Sequence, residues 1–152
     1  MKYRILVLGE PQTCSVAVLR IVETTEGVTV GRLLEFFGPD IDKFRVQNEE
    51  LLDEVVDECL DRGCTFIDFY CTSPKTAAFF EECGFSRDDD GQLPSLLDPV
   101  DFSRKSQNLE FFVRPSLRRE VPDWSEAFYA TRGDGDQDRP NATFATARRI
   151  GE

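Results

Sequence analysis

Residues 48–85, NEELLDEVVDECLDRGCTFIDFYCTSPKTAAFFEECGF, set the tightest limit on what this chain can fold into. Leu51, Leu52, Val55, Val56, Cys59 and Leu60 recur at i, i+1, i+4, i+5, i+8 and i+9, one face of a 3.6-residue repeat. Asp53, Glu54, Asp57, Glu58 and Asp61 take the other face. The spacing predicts an amphipathic helix over 48–62, with Asn48 as its N-cap and Gly63 just past its end. Residues 65–71, TFIDFYC, are mostly apolar and predict a strand. Ser73 and Pro74 supply the N-cap and first position of a second helix over 74–83. Gly84 ends that helix, and Phe85 can pack back on it.

Three further strands precede this block. Residues 3–9 (YRILVLG) form a short apolar run closed by Gly9-Glu10-Pro11. Residues 15–23 (SVAVLRIVE) and 29–37 (TVGRLLEFF) flank TTEG, which reads as a hairpin loop, and Gly38-Pro39 ends the second of them. After the block, RDDDGQ at 87–92 is a solvated turn, and 109–113 (LEFFV) predicts one more strand. The expected fold is α/β in the α+β sense. It is a mixed, mostly antiparallel sheet enclosing a parallel pair, with two main helices and a C-terminal extension. Residues 1–115 form the domain; 116–152 pack on it or on a partner through Trp124, Phe128 and Tyr129, with about the last ten residues mobile.

Composition narrows the function. Thirteen phenylalanines in a chain that is 40% hydrophobic supply a real core, and no run of about 18 apolar residues predicts a membrane span. MKYRILVLGE lacks the features of a secretion signal, which points to a cytoplasmic protein. Cysteines 14, 59, 64, 71 and 83 are odd in number and form no CxxC pair; they read as free thiols in a reducing compartment. With no histidine, Ser-His and Cys-His triads are excluded and zinc sites are disfavoured. Residues 114–152 balance seven arginines against seven acids, so the whole net charge of −11 falls on the first 113 positions. Such a body repels nucleic acids and anionic membranes.

The order hairpin, helix, strand, helix, Gly-Phe resembles the GNAT N-acyltransferase superfamily from that fold's second strand onward. The resemblance covers about residues 3–113, with Cys83-Gly84-Phe85 its most specific element. The family's first strand and two leading helices have no counterpart. The resemblance implies acetyl-CoA or another acyl-CoA as cofactor and a small amine as acceptor. It implies a backbone cradle at Phe36, Phe37 and Gly38 and at Lys43, Arg45, Val46 and Asn48. Because the missing elements must be replaced, it also implies a homodimer or a partner chain.

Two departures accompany the likeness. Where the family has Arg or Gln, two residues, Gly, one residue, then Gly or Ala before the first helix, this chain has Lys43, Val46 and Asn48. Glu49 and Glu50, read as the first turn of that helix, would repel a pyrophosphate by about 3 kcal/mol per charge pair at a dielectric near 20. Lys43 and Arg45 offset part of this. The tyrosine that often acts as general acid four residues before the closing glycine is Phe80 here, and an asparagine expected near the helix start is Ser73.

Glu35 matches the family's usual general-base position and can take a proton from an amine; equally, it can pair with Arg20 on the neighbouring strand. Asp68 interrupts an apolar strand and needs a partner if buried, either an arginine or a substrate. Tyr70 can line a cleft or fill core. In the tail, Asp134, Asp136 and Asp138 alternate like the start of a calcium loop, but Arg139 and Ala145 stand where such a loop needs Gly and Glu. A simpler Mg²⁺ or Ca²⁺ site and a solvated turn both remain open there. Arg132-Gly133-Asp134 and the sequon at Asn141 carry no meaning without secretion. Two functions follow: acyl-CoA-dependent N-acyl transfer, or a non-catalytic binding or assembly module on the same fold.

Overall fold

A computed structural model describes residues 3–24 and 26–87. Within them the order is β1 (Tyr3–Leu8), β2 (Ser15–Glu23), β3 (Thr29–Phe37), α1 (Arg45–Asp61), β4 (Phe66–Phe69) and α2 (Pro74–Glu82). The sheet order is β1-β2-β3-β4; the first two pairings are antiparallel and β3–β4 is parallel. This is the expected mixed α/β architecture. The expected turn at 87–92 beyond Arg87, the strand at 109–113, the tail and its aspartates lie outside the described residues.

Both helices stop where glycine allows. Gly63 has φ +69°, with Gly63 N–H donating to Leu60 O and Cys64 N–H to Cys59 O. Gly84 has φ +93°, and Phe85 N–H donates to Phe80 O while the two rings meet edge to face at 5.0 Å. Each is a left-handed cap, and the second carries an apolar clasp. Ser73 caps α2 by accepting from Thr76 N–H at 3.2 Å, with Pro74 as the first helical residue.

The start of α1 differs from expectation. The helix begins at Arg45, three residues before Asn48, and its N-cap is Phe44, which makes no side-chain cap. The cause is Asp40. Its carboxylate accepts from the N–H groups of Asp42 and Lys43, and its carbonyl accepts from Phe44 N–H, so a turn is already wound before the helix proper. Glu49 and Glu50 are therefore in the second turn, and the first turn holds no acidic residue. β4 is also shorter than the predicted 65–71.

One core joins Leu51, Leu52, Val55 and Cys59 of α1 to Ala17, Leu19 and Leu33 of the sheet. α1 approaches β3 most closely at Gly31, where a Cβ would fall 2.5 Å from Cys59 Sγ. An aromatic group of Phe36, Phe69, Phe79, Phe80 and Phe85 fixes α2 to the ends of β3 and β4, with ring centroids as close as 4.6 Å.

At Leu34 the β2–β3 ladder slips by one residue: Leu19 pairs with Leu33, but Val18 pairs with Glu35. Leu34 is the extra residue of a β-bulge. The parallel pairing with β4 stops at the same point, its last pair being Leu33 with Phe69.

Gly31→Ala should destabilise the protein by about 1–3 kcal/mol through overpacking against Cys59. Urea denaturation should show a smaller loss for the same change in a Cys59→Ala background. An equal loss in both backgrounds would refute this contact as the cause.

Candidate functional site

The β3–β4 pairing ends beside the bulge, and a cavity of about 280 Å³ lies against the end of β3 that follows it. Phe36, Phe37, Gly38 and Pro39 form its strand-end wall. Asp40 and Ile41 come from the following turn, Asn48 from α1, and Lys75 and Thr76 from the first turn of α2. Its lining is thus largely neutral, with one charge pair at the rim. Lys75 Nζ lies 3.1 Å from Asp40 Oδ1 and 2.7 Å from Asp42 Oδ2. Hydrogen bonding to Lys75 and to the Lys43 and Asp42 backbone holds the Asp40 carboxyl below its usual range, and the two carboxylates push Lys75 up.

A second, more open groove of about 560 Å³ flanks the other side of the α1 start. Leu8 and Gly9 meet Lys43, Arg45, Val46 and Gln47 there. Arg45 is engaged by Glu49 and Glu82, each at 2.7 Å, so it ties α1 to α2. Lys43 lies 5.5 Å from the Phe44 ring centre. The seven predicted cofactor contacts thus divide: Phe36, Phe37, Gly38 and Asn48 line the cavity, while Lys43, Arg45 and Val46 line the groove.

A buried amide network separates the two. Ser15 Oγ donates to Asn48 Oδ1 at 2.7 Å, Asn48 Nδ2 donates to Phe44 O, and Gln47 Nε2 reaches Thr13 O at 2.7 Å and Ser15 Oγ at 2.9 Å. Asn48 is 1% exposed. It positions the helix rather than capping it. Two glycines make room: a Cβ at Gly38 would lie 2.6 Å from Ser15 Oγ, and one at Gly9 would lie 2.7 Å from the Gln47 amide. Ser15, Gln47 and Lys75 were not foreseen from the sequence. The polar residues just after Gly9-Glu10-Pro11 and the Lys-Thr following Ser73-Pro74 were the only local signs.

The predicted catalytic residues lie on the sheet. By register, Glu35 stands opposite Val18, on the face turned away from α1, and is partly buried. Arg20 is on that face but opposite Arg32, so it is diagonal to Glu35 rather than directly across from it. Asp68 pairs across β3–β4 with Arg32, Nη2 to Oδ2 at 3.2 Å, and both are buried. Tyr70 follows the end of β4; burial raises its pKa, with a further push from Cys71. Phe80 is 4% exposed inside the aromatic group.

All five cysteines are free. Burial holds the thiols of Cys64, Cys71 and Cys83 protonated above their usual range and pushes Cys59 up to about 12. Among the described residues no group of three or more acidic or thiol side chains can hold a metal ion, and no helix is long and apolar enough to cross a membrane.

No protein-family model matches this chain, and no curated protein matches it in sequence. Among solved structures it is similar to glucosamine-6-phosphate N-acetyltransferase from Arabidopsis thaliana, with 17% identity and a TM-score of 0.44. The similarity covers 49% of this chain and 52% of that one, so the chain spans about half the length of that enzyme.

Asp68→Ala removes a buried carboxylate partner of Arg32 and should destabilise the fold by about 3 kcal/mol in denaturant titrations. Unchanged stability would mean that the pair does not support the sheet. A second expectation concerns pH. Folded Cys59 keeps its proton up to about 12, whereas an unfolded thiol loses it near 8.5. The stability it contributes is complete below the unfolded value and is lost as pH rises toward 12. Cys59→Ala should remove that part of the alkaline fall in unfolding free energy; an unaltered pH profile would contradict it.

Proposed function

We propose that this chain is a GNAT-like protein that binds an acyl thioester in the cavity beside the β3 bulge and transfers its acyl group to a small amine. The bulge is the observation that carries this reading. It falls where the β3–β4 pairing ends, brings Phe36 and Gly38 to the cavity wall, and turns Glu35 to the other face. Donor and acceptor would then meet from opposite faces of the sheet past the end of that pairing.

In this reading Glu35 accepts the amine proton as nitrogen attacks the thioester carbonyl. The C–N bond forms, the C–S bond breaks, and the departing sulfur takes a proton from Tyr70, whose burial keeps its hydroxyl protonated. Glu35 then releases its proton to water, which also reprotonates Tyr70. Tyr70 here replaces the donor that a tyrosine at position 80 would provide.

The second reading is a non-catalytic binding module on the same fold. Phe80 favours it: the ring has no exchangeable proton and is packed against Phe36 and Phe69.

Acetyl-CoA at 100 times its dissociation constant should stabilise the protein by about 2.7 kcal/mol in thermal unfolding. No shift at millimolar acetyl-CoA would sink the acyl-transfer reading. Given a shift, Glu35→Gln should keep binding and lose at least about a hundredfold in turnover with a panel of small amines. Binding without turnover in the unaltered protein would establish the second reading.

A further inference from the structure

We propose that the thioester ligand is held by its neutral pantetheine arm, and that this site does not anchor a nucleotide diphosphate. The inference rests on the thioester reading above and names the part of the ligand the site recognises. It starts from the charges that surround both openings at the start of α1. The cations are Lys43, Arg45 and Lys75; the carboxylates are Asp40, Asp42, Glu49, Glu50 and Glu82. Three positive charges against five negative ones leave this surface with a net charge of −2 among the described residues.

The strongest donors there are also engaged. Lys75 bonds Asp40 and Asp42, and Arg45 bonds Glu49 and Glu82. A diphosphate that took either cation would leave a pair of carboxylates facing its own negative charge. It would also release the contacts that join the 40–44 turn and α1 to α2. Exposed ion pairs are individually weak, but here exchange gains no net favourable charge, because each cation already has two anions.

The cavity offers the opposite chemistry. Its wall is Phe36, Phe37, Gly38, Pro39 and Ile41, with Thr76 and the Asn48 edge as polar points and the mutually neutralised Lys75–Asp40 pair at the rim. Its volume of about 280 Å³ is at the small end of ligand pockets, which start near roughly 300 Å³. That space suits a narrow arm of amides and methyl groups rather than an adenine nucleotide. Two sources share this chemistry: coenzyme A, and a phosphopantetheine arm carried on a protein. Free pantetheine thioesters represent the common element.

The test is calorimetric titration of the full chain with acetyl-CoA, S-acetylpantetheine and adenosine 3′,5′-bisphosphate. S-acetylpantetheine should bind within about tenfold of acetyl-CoA, and the bisphosphate should not compete at millimolar concentration. Raising NaCl from roughly 50 to 500 mM should leave acetyl-CoA binding unchanged or tighter, because salt screens repulsion between like charges. Acetyl-CoA binding more than about tenfold tighter than S-acetylpantetheine, or weakening steeply with salt, would overturn the inference while leaving the thioester reading intact. If neither thioester binds, both fall. A phosphopantetheinylated carrier protein binding tighter than S-acetylpantetheine would identify the carrier as the source and uphold recognition of the arm.

Discussion

The single extra residue at Leu34 governs how the rest of the sheet is used. In an uninterrupted strand, side chains two apart share a face. Leu33 faces the core, so strict alternation would send Glu35 into it and Phe36 out of it. The slip against Val18 and Leu19 reverses both outcomes. Phe36 enters the core, where it stacks on Phe79 at 5.9 Å and meets Phe80 edge to face at 5.1 Å. Glu35 is placed on the opposite face, where a carboxylate need not be buried among aromatic rings. The same slip coincides with the end of β4 pairing. Core packing and the placement of the candidate base are therefore consequences of one irregularity, which also marks the gap in β3–β4 pairing.

A second constraint fixes what borders that gap. α1 is held at its first turn by Ser15, Asn48 and Gln47, all hydrogen-bonded and close to two glycines that leave no room for a Cβ. Buried amides are favourable only when their donors and acceptors are met. Here the partners come from the start of β2, the β1–β2 turn and the helix start itself. The helix entrance is thereby locked to the sheet, and Lys75 reaches across to hold the turn at Asp40 and Asp42.

Much of this fold was legible because its signals are local. Gly63, Ser73-Pro74 and Gly84-Phe85 each end or begin a helix through bonds to residues within one turn, and the structure shows those bonds. The strand pattern 15–23 and 29–37 likewise sits within a hairpin closed by Thr24 and Gly27. What was not legible depends on distant partners. Asn48 has the side chain of a cap, but Asp40 starts the winding earlier, and Asn48 is left free to bond Ser15, 33 residues away in sequence. The doublets Leu33-Leu34 and Phe36-Phe37 around Glu35 are the trace of the bulge. Read by alternation alone, they do not say which leucine is extra. Asp68 was recognisable as a residue in need of a partner, yet only the parallel register places Arg32 across from it.

These placements also change the meaning of the missing glycines before α1. In a loop that wraps a diphosphate, glycine lets backbone N–H groups come close to the oxygens. Here the corresponding stretch is closed on itself: Asp40 takes the N–H groups of Asp42 and Lys43, and Phe44 donates to the Asp40 carbonyl. Arg45 and Lys75, the two cations best placed to meet an anion, staple α1 and the turn to α2 instead. Two cations and the backbone donors of the 42–44 turn are thus committed to internal structure in the same way. The absence of glycine before α1 and the excess of carboxylates there are one coherent feature. On the proposed thioester reading, a surface built in this manner selects for the part of the ligand that carries no charge.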